Sequence, residues 1–419
     1  MEEEIKLKRV DLRLKPDLSF ETDEVLNEPL KAVDFAQGIM KNMKPGQMAI
    51  LNLTTKGNVL RVIITSKKTI SNLGPGLAAV LRESLLSNCV GIIAIEKNVL
   101  PRFNDKDRVF AETLLYAFRE CSINVTDYIK VPLEENSYVS MQEEKIDFNA
   151  LYAKGRNRLA AAIKDNSNRD YKMPLSSLEL IRIGGGKDLL YATDAIDAVI
   201  NDIKYKNREH LCVIAFDKDL YSLGYSVVSI GTVNSSLAGT GEIFRCLISQ
   251  GAASFVMIHN HPSSNPEPSS QDDMVTLSTA RAAKLVGLKM MDHLIVGGMS
   301  GKYYSYAEEG RDEYGLRKWS DVAKETNDEK LISWFSVCRY VSVKLGLLLN
   351  PHTERYVIEK LAEDGNETVS RYAKQKLNDY VNTADSVKRQ IEMIRQEVCH
   401  SDRVAEANRI YSYGKELKK

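Results

Sequence analysis

Between about residues 174 and 310, apolar positions come in short bursts separated by polar turns. "LCVIAF" (211–216) and "YSVVSIG" (225–231) are β-branched and aromatic runs bounded by turn residues, so they predict strands. "GEIFRCLISQG" (241–251) sets Ile243, Phe244, Leu247 and Ile248 on one helical face. "SFVMI" (254–258) predicts a buried strand that runs directly into His259. The next segment, "SSQDDMVTLSTARAAKLVG", keeps Met274, Leu277, Ala280, Ala283 and Leu285 at roughly helical spacing. "HLIVGG" and "KYYSYAEEG" then predict a closing hairpin, with Gly297, Gly298 and Gly301 supplying the turn. Strands alternating with helices predict a layered α/β domain.

Beyond about residue 311 this rhythm stops. "LISWFSVCRYVSVKLGLLL" (331–349) and the segments after it carry mixed charge and helical periodicity, predicting an all-α region over 311–419. Residues 135–173, rich in charge and containing "ALYAKGRNRLAAAIKDN", predict a linker or connecting helix.

The pattern also repeats. Residues 82–131 and 245–296 both run helix, buried strand, polar loop, helix, and end on "DYIKV" or "DHLIV". Asp107 precedes Asp127 by the same 20 residues that separate Asp272 from Asp292. The same count sets Ala94 and Glu96 opposite His259 and His261, and Asn104 opposite Ser269. Upstream, "GQMAILNLTTKGNVLRVIITSKKTISNLGPG" shares a pattern with "EHLCVIAFDKDLYSLGYSVVSIGTVNSSLAG". The expectation is a tandem duplication whose first copy, residues 1–134, has lost its histidines; two unrelated α/β units with a shared hydrophobic rhythm are the alternative.

Composition narrows the class. A chain of 419 residues has room for two to four domains at roughly 100–200 residues each. Its 43% hydrophobic content is that of a globular protein. No apolar run reaches the roughly 18 residues a membrane span needs, and the acidic opening "MEEEIKLKRVDLRLKP" has no apolar signal core. Six scattered cysteines without a CxxC pair predict reduced thiols in a cytoplasmic protein. Lys+Arg and Asp+Glu both total 57, so bulk charge does not favour nucleic acid, and no long basic block occurs.

The chemistry concentrates in "HNHPSSNPEPSSQDD" (259–273). Side chains two apart on a strand share a face, so His259 and His261 can converge on one ion. Imidazole is the commonest zinc ligand, and a catalytic zinc takes three protein ligands. Asp272, at the start of the next helix, is the candidate third. Ser269-x-x-Asp272 equally fits a helix capping box, and the histidines could be satisfied by loop carbonyls. The combination of histidine pair, proline, serine and aspartate favours the metal. "IGGGKD" (183–188) lacks the phosphate-loop spacing, and the PCxxC segment of zinc deaminases is absent. His210, His293, His352 and His400 have no ligand-spaced partners and are expected to be structural or surface residues.

His259, His261, Pro262, Ser269 and Asp272 resemble the motif of the JAMM (MPN+) metalloproteases. "SIGTVNSSLAGTGEIFR", "HNHPSSNPEPSSQDD" and "DHLIVGG" followed by "YYSYAEEG" resemble its bacterial RadC-like branch over roughly 174–310. Residues 1–134 resemble the same fold weakly. The resemblance implies a JAMM/MPN (cytidine-deaminase-like) α/β/α domain in tandem with a degenerate copy, followed by the all-α region. It implies one Zn2+ on His259, His261 and Asp272, and hydrolysis of peptide or isopeptide bonds of a protein substrate by a zinc-activated water. A glutamate upstream of the histidines would be the general base; Glu209 occupies the matching place, and Glu242, in the first turn of a helix, competes with it. Ser269 would stabilise the oxyanion. RadC-like proteins carry an old association with DNA repair, so a zinc-containing binding protein in DNA metabolism, without turnover, is the alternative. The two JAB-like domains are expected to pair within the chain.

Overall fold

The computed structural model describes residues 11–13, 25–98, 102–132, 137–160, 181–183, 192–231, 239–300, 302–309, 316, 318–338 and 340–379. The helices expected beyond 379, the Gly-rich turn at 184–188, residues 161–173 of the expected connector and Gly301 lie outside them. A short strand β1 (Asp11–Arg13) pairs antiparallel with β7 (Ile181–Ile183).

Two five-stranded sheets carry the α/β part. The first is built from β2 (Gln47–Leu53), β3 (Val59–Ser66), β4 (Gly91–Lys97), β5 (Asn124–Val131) and β6 (Val139–Ser140), in the order β3-β2-β4-β5-β6. The second is built from β8 (His210–Phe216), β9 (Ser222–Ile230), β10 (Ser254–His261), β11 (Lys289–Gly297) and β12 (Lys302–Ser305), in the order β9-β8-β10-β11-β12. Strand for strand the pairing senses agree: β4 runs parallel to β5 and β10 to β11, and every other neighbouring pair is antiparallel. Each parallel pair even shifts register at the same place, between Ile92 and Ile93 and between Phe255 and Val256.

Helices cover the sheets. α1 (Pro29–Met40) buries Ala32, Val33, Ala36 and Met40 on one face of the first sheet, against Ala49, Leu51, Ile93 and Ile95. The opposite face, with Met48, Ile50, Ile92 and Ala94, meets α3 (Pro75–Leu86) and α4 (Asp105–Glu120). α2 (Lys67–Ser71) links β3 to α3. α5 (Phe148–Leu159) packs on α4, close enough that a Cβ at Gly155 would stand 2.4 Å from the Glu112 carbonyl oxygen. β6 extends the first sheet and α5 lies on α4, so residues 139–159 pack with the first unit.

In the second unit α6 (Ala192–Ile203) packs on β8 and β10, while α7 (Thr240–Ser249) and α8 (Ser270–Val286) take the other face. α9 (Tyr306–Glu309) follows β12. The buried side of α8 includes Val275, Thr276, Thr279, Ala280, Ala282, Ala283, Leu285 and Val286, so Ala280, Ala283 and Leu285 fall where the stripe put them, while Met274, expected in it, is 63% exposed. Small residues and threonines line that side because the helix is gripped by its own sheet and by the first unit at once.

The helix layers of the two units meet. Leu77, Leu81 and Leu85 share one apolar core with Phe244, Leu247, Ala282 and Ala283. Arg82, buried, donates from Nε to the Val286 carbonyl (2.6 Å) and from Nη2 to the Gly287 carbonyl (3.1 Å). Arg245 donates to the Leu85 carbonyl (3.1 Å), and the Thr240 hydroxyl to the Glu120 carbonyl (2.6 Å).

Residues 318–379 form a separate helical unit. It holds α10 (Trp319–Glu325), α11 (Glu329–Val337), α12 (Val341–Leu349), α13 (Arg355–Ala362) and a helical stretch over 367–379. Trp319 packs edge-on against Trp334 (4.6 Å between centroids) and Tyr340 (5.1 Å) in its core. Among the described residues, no helix is long and apolar enough to cross a membrane.

Both sheets bury an aspartate at the same register. Asp127 accepts from the Tyr128 and Gln142 amides and the Ser140 hydroxyl; Asp292 accepts from the His293 and Ala307 amides and the Ser305 hydroxyl. Burial pushes Asp292 up to about 7 against the pull of those three donors. The native chain therefore keeps a proton there that the unfolded chain releases near the ordinary carboxylate value, so this group's contribution to stability falls as pH rises through that window. Asp292→Asn, which cannot ionise, should gain stability relative to wild type between about pH 4 and about pH 7. Urea titrations of both chains across that range provide the measurement. Arg82→Met should lower the unfolding free energy by about 2–3 kcal/mol, because it leaves two buried carbonyls without their charged donor. An unchanged urea midpoint would show that the two units do not lean on this contact.

Candidate metal centre

β10 is a central strand whose apolar run, Ser254–Ile258, is buried on both faces. The run ends where polar chemistry begins. Alternation then sends His259 and His261 to one face and Asn260 to the other. Asn260 is fully buried and fastens the approach to β8: its Oδ1 accepts from the His210 amide (2.8 Å), and its Nδ2 donates to the Lys206 (3.2 Å) and Arg208 (3.1 Å) carbonyls.

On the histidine face, His259 Nε2 and His261 Nε2 stand 2.9 Å apart. Asp272 Oδ1 lies 3.2 Å from His259 Nε2, and Asp272 Oδ2 lies 3.5 Å from His261 Nε2. The ligand-type atoms of these three residues all fall within 4.8 Å of one another, a donor set able to hold a metal ion. The structure thus brings together the three residues the sequence singled out.

Asp272 is placed by the helix start. Ser269 caps α8, accepting from the Asp272 amide (3.2 Å), while Asp272 Oδ2 accepts from the Ser269 amide (2.7 Å) and hydroxyl (2.6 Å). Cap and candidate ligand are therefore one arrangement. The Ser269 hydroxyl has a single proton, and here it goes to Asp272. Burial alone would raise Asp272, but the neighbouring His259 and His261 rings and the Ser269 hydroxyl hold it well below the usual carboxylate range.

The outer nitrogen of each histidine is engaged. His261 Nδ1 lies 2.9 Å from the Asn265 carbonyl oxygen, which can only accept. The loop reaches that position because β11 ends on glycine: a Cβ at Gly297 would stand 2.5 Å from the Ser264 carbonyl oxygen. Burial would lower His261, yet Asp272, the Asn265 carbonyl and the Glu209 charge together raise it. His259 Nδ1 lies 2.9 Å from His293 Nε2. Sequence reasoning set His293 aside for want of ligand spacing. It arrives instead from β11, the parallel neighbour of β10, and no spacing within one segment could have signalled it. Burial and the neighbouring His259 drive His293 well below the ordinary histidine range, so it is neutral.

Glu209 immediately precedes β8. Leu211 pairs with His259 across the antiparallel β8–β10 ladder, so two residues back Glu209 falls at the register of His261. Glu242 is exposed in the first turn of α7, beside Gly239 and the Ser122 hydroxyl of the first unit.

The first sheet carries a counterpart without histidine. Asp127 pairs with Ile93 as Asp292 pairs with Val256, and this sets Glu96, not Ala94, at the register of His259, and Asn98 at that of His261. The residue count misplaced them because the strand-to-helix loop is two residues shorter in the first unit: 11 residues separate Glu96 from Asp107, and 13 separate His259 from Asp272. Gly46 falls at the register of Glu209, and Lys67 at that of Gly231. Lys67 Nζ contacts Asp107 and lies 3.7 Å from Glu96 Oε2 and 3.4 Å from the Tyr128 hydroxyl. Lys130 Nζ reaches Asp107 Oδ2 at 2.9 Å. An ammonium group thus fills the place where three ligand atoms converge in the second unit.

The centre lies within a segment that matches a known family. Residues 190–311 match the RadC-like JAB domain family. The chain is 40% identical over 114 residues to a UPF0758 protein of Trichormus variabilis, covering 27% of this chain and 46% of that protein. It is 36% identical over 115 residues to a UPF0758 protein of Moorella thermoacetica (27% and 49%), and 38% identical over 117 residues to one of Clostridium kluyveri (28% and 50%). The chain spans about half the length of these curated relatives. With the His259–His261–Asp272 cluster inside the matched region, the chain is a protein carrying a RadC-like JAB domain over residues 190–311.

Proposed function

We propose that this chain is a zinc-dependent metallohydrolase of the JAMM type, cleaving peptide or isopeptide bonds of a protein substrate. The observation that carries the reading is the convergence of three acceptors on one point. His259 and His261 turn their Nε2 atoms toward each other and toward Asp272, while their Nδ1 atoms are engaged elsewhere. Zinc bonds of about 2.0–2.2 Å give tetrahedral edges of about 3.3–3.6 Å, and the separations here are 2.9, 3.2 and 3.5 Å. The donor set suits zinc. Three protein ligands leave a fourth position, as catalytic zinc sites do.

A zinc ion held there would supply a Lewis acid and a water acidic enough to react near neutral pH. Glu209 is the general base in this reading: it takes a proton from the attacking water and passes it to the leaving amine. Its position at the register of His261, and the reach of its charge to that ring, support this role over Glu242. Ser269 orients Asp272, and its service to an oxyanion requires its hydroxyl to turn away from that carboxylate.

The shared strand order, pairing senses and buried aspartates support descent of the two units from a duplicated domain. The first unit is then a degenerate copy paired with the second within the chain. The described cysteines are all free, which suits a reducing, cytoplasmic setting.

Elemental analysis of the purified chain should return one zinc per molecule, since Lys67 occupies the first unit's centre. His261→Ala should lose the metal while keeping the circular dichroism of the wild type. Two equivalents would overturn the assignment of the first centre. Glu209→Gln should keep zinc and lose hydrolysis of peptide or isopeptide substrates by about 100-fold or more, whereas Glu242→Gln should remain within a few-fold of wild type. Loss of zinc from Glu209→Gln would make Glu209 a ligand. A zinc-loaded wild type without turnover would point to the non-catalytic binding protein.

A further inference from the structure

We infer that His293 and Thr276 form a positioning relay that fixes the proton on His259 Nδ1 and so aims the lone pair of His259 Nε2 into the centre. The inference rests on the metal-site reading above and adds two residues to it.

The argument is a count of protons. The Thr276 hydroxyl lies 2.6 Å from the Asp272 carbonyl oxygen and 2.6 Å from His293 Nδ1. A hydroxyl has one proton and a carbonyl has none, so that proton points at Asp272. His293 Nδ1 must then donate to the Thr276 oxygen. Burial of the ring among His259, Thr276 and Tyr306 favours a single N–H, and with that N–H on Nδ1 the His293 Nε2 is an acceptor. It lies 2.9 Å from His259 Nδ1, which must therefore be the donor, so the bare nitrogen of a neutral, metal-binding His259 is Nε2. Every link is buried: Thr276 is fully covered, and His259 and His293 are each 1% exposed. Tyr306 holds the relay in plane, its ring stacked on His293 at 5.2 Å between centroids and 5° between planes, and its hydroxyl tied to Asp273 Oδ1 at 2.8 Å.

The first unit supports the assignment independently. Tyr128 stands at the register of His293, one residue after the buried aspartate, and its hydroxyl donates to Glu96, the residue at the register of His259. In both sheets this position orients the strand-end group beside it. The polarity is reversed: Tyr128 gives a proton to a carboxylate, whereas His293 accepts one from an imidazole.

The test compares His293→Leu, His293→Gln and Thr276→Val with wild type. Affinity is read by zinc competition against a chromophoric chelator, and the His259 tautomer by nitrogen-15 NMR of the metal-free, histidine-labelled chain. Glutamine keeps an acceptor near the Nε2 position, and leucine does not. His293→Leu should lower zinc affinity by about 10–100-fold, as loss of a ligand's hydrogen-bond partner does. Glutamine should restore most of it, and Thr276→Val should weaken it. Wild-type His259 should carry its proton on Nδ1, and Thr276→Val should populate the other tautomer. Equal affinity of leucine and wild-type chains, or a wild-type proton on His259 Nε2, overturns the relay. If wild type binds no zinc while its His259 is protonated on Nδ1, the relay stands and the metal reading fails. Should His293→Leu not fold, the glutamine and Thr276→Val chains still decide.

Discussion

Everything in the second unit bears on one awkward contact, two imidazole nitrogens 2.9 Å apart that face each other and a carboxylate. Left to themselves, such groups would turn outward to water, since bringing acceptors together away from solvent is costly without a cation between them. The fold prevents the escape. His259 is held from behind by His293, and His261 by the Asn265 carbonyl. Asp272 cannot swing away because the same oxygen that faces His261 also closes the cap of α8. Each restraint belongs to ordinary secondary structure: a strand end, a parallel neighbour, a helix start. Their sum is a point that attracts positive charge, which is what the raised His261 and the depressed Asp272 both register.

The first unit meets the same problem with other residues. Glu96 and Asp107 are buried acids at the registers of His259 and Asp272, and two carboxylates there would repel. Lys67 and Lys130 supply the compensating charge from within the chain. Burial would raise Asp107, but these two ammonium groups bring it below its ordinary value. The first sheet thus carries a cation from its own chain at this place. The two places differ at residue 67, whose counterpart is Gly231, and in whether the strand ends in carboxylate or imidazole.

The sequence showed the strands, the helix faces and the triad of His259, His261 and Asp272, because each depends on spacing within a continuous segment of about 25 residues or fewer. It could not show His293, which reaches the centre sideways across a parallel ladder, 34 residues further along. It misjudged Met274, because α8 is buried from two sides and its covered face follows the first unit as much as its own sheet. The two-residue slip at Ala94 has a similar origin. Counting through a loop assumes equal loop lengths, and backbone register is what reveals the difference. Lys67 was invisible for a related reason, since nothing in "SKKTI" announces that one ammonium group turns inward to a site defined by three other segments.

The contact between units also bears on the centre. α8 carries Asp272 in its first turn, and the two carbonyls held by Arg82 lie at its far end. A helix of 17 residues spans about 25 Å and moves largely as a rod, so what grips one end constrains the other. The first unit has no histidine at the matching registers and no carboxylate at that of Glu209, yet its Arg82 and its leucines fix the C-terminal end of the helix that presents Asp272. Substitutions along α3 would shift α8 and, with it, the carboxylate on which both histidines converge.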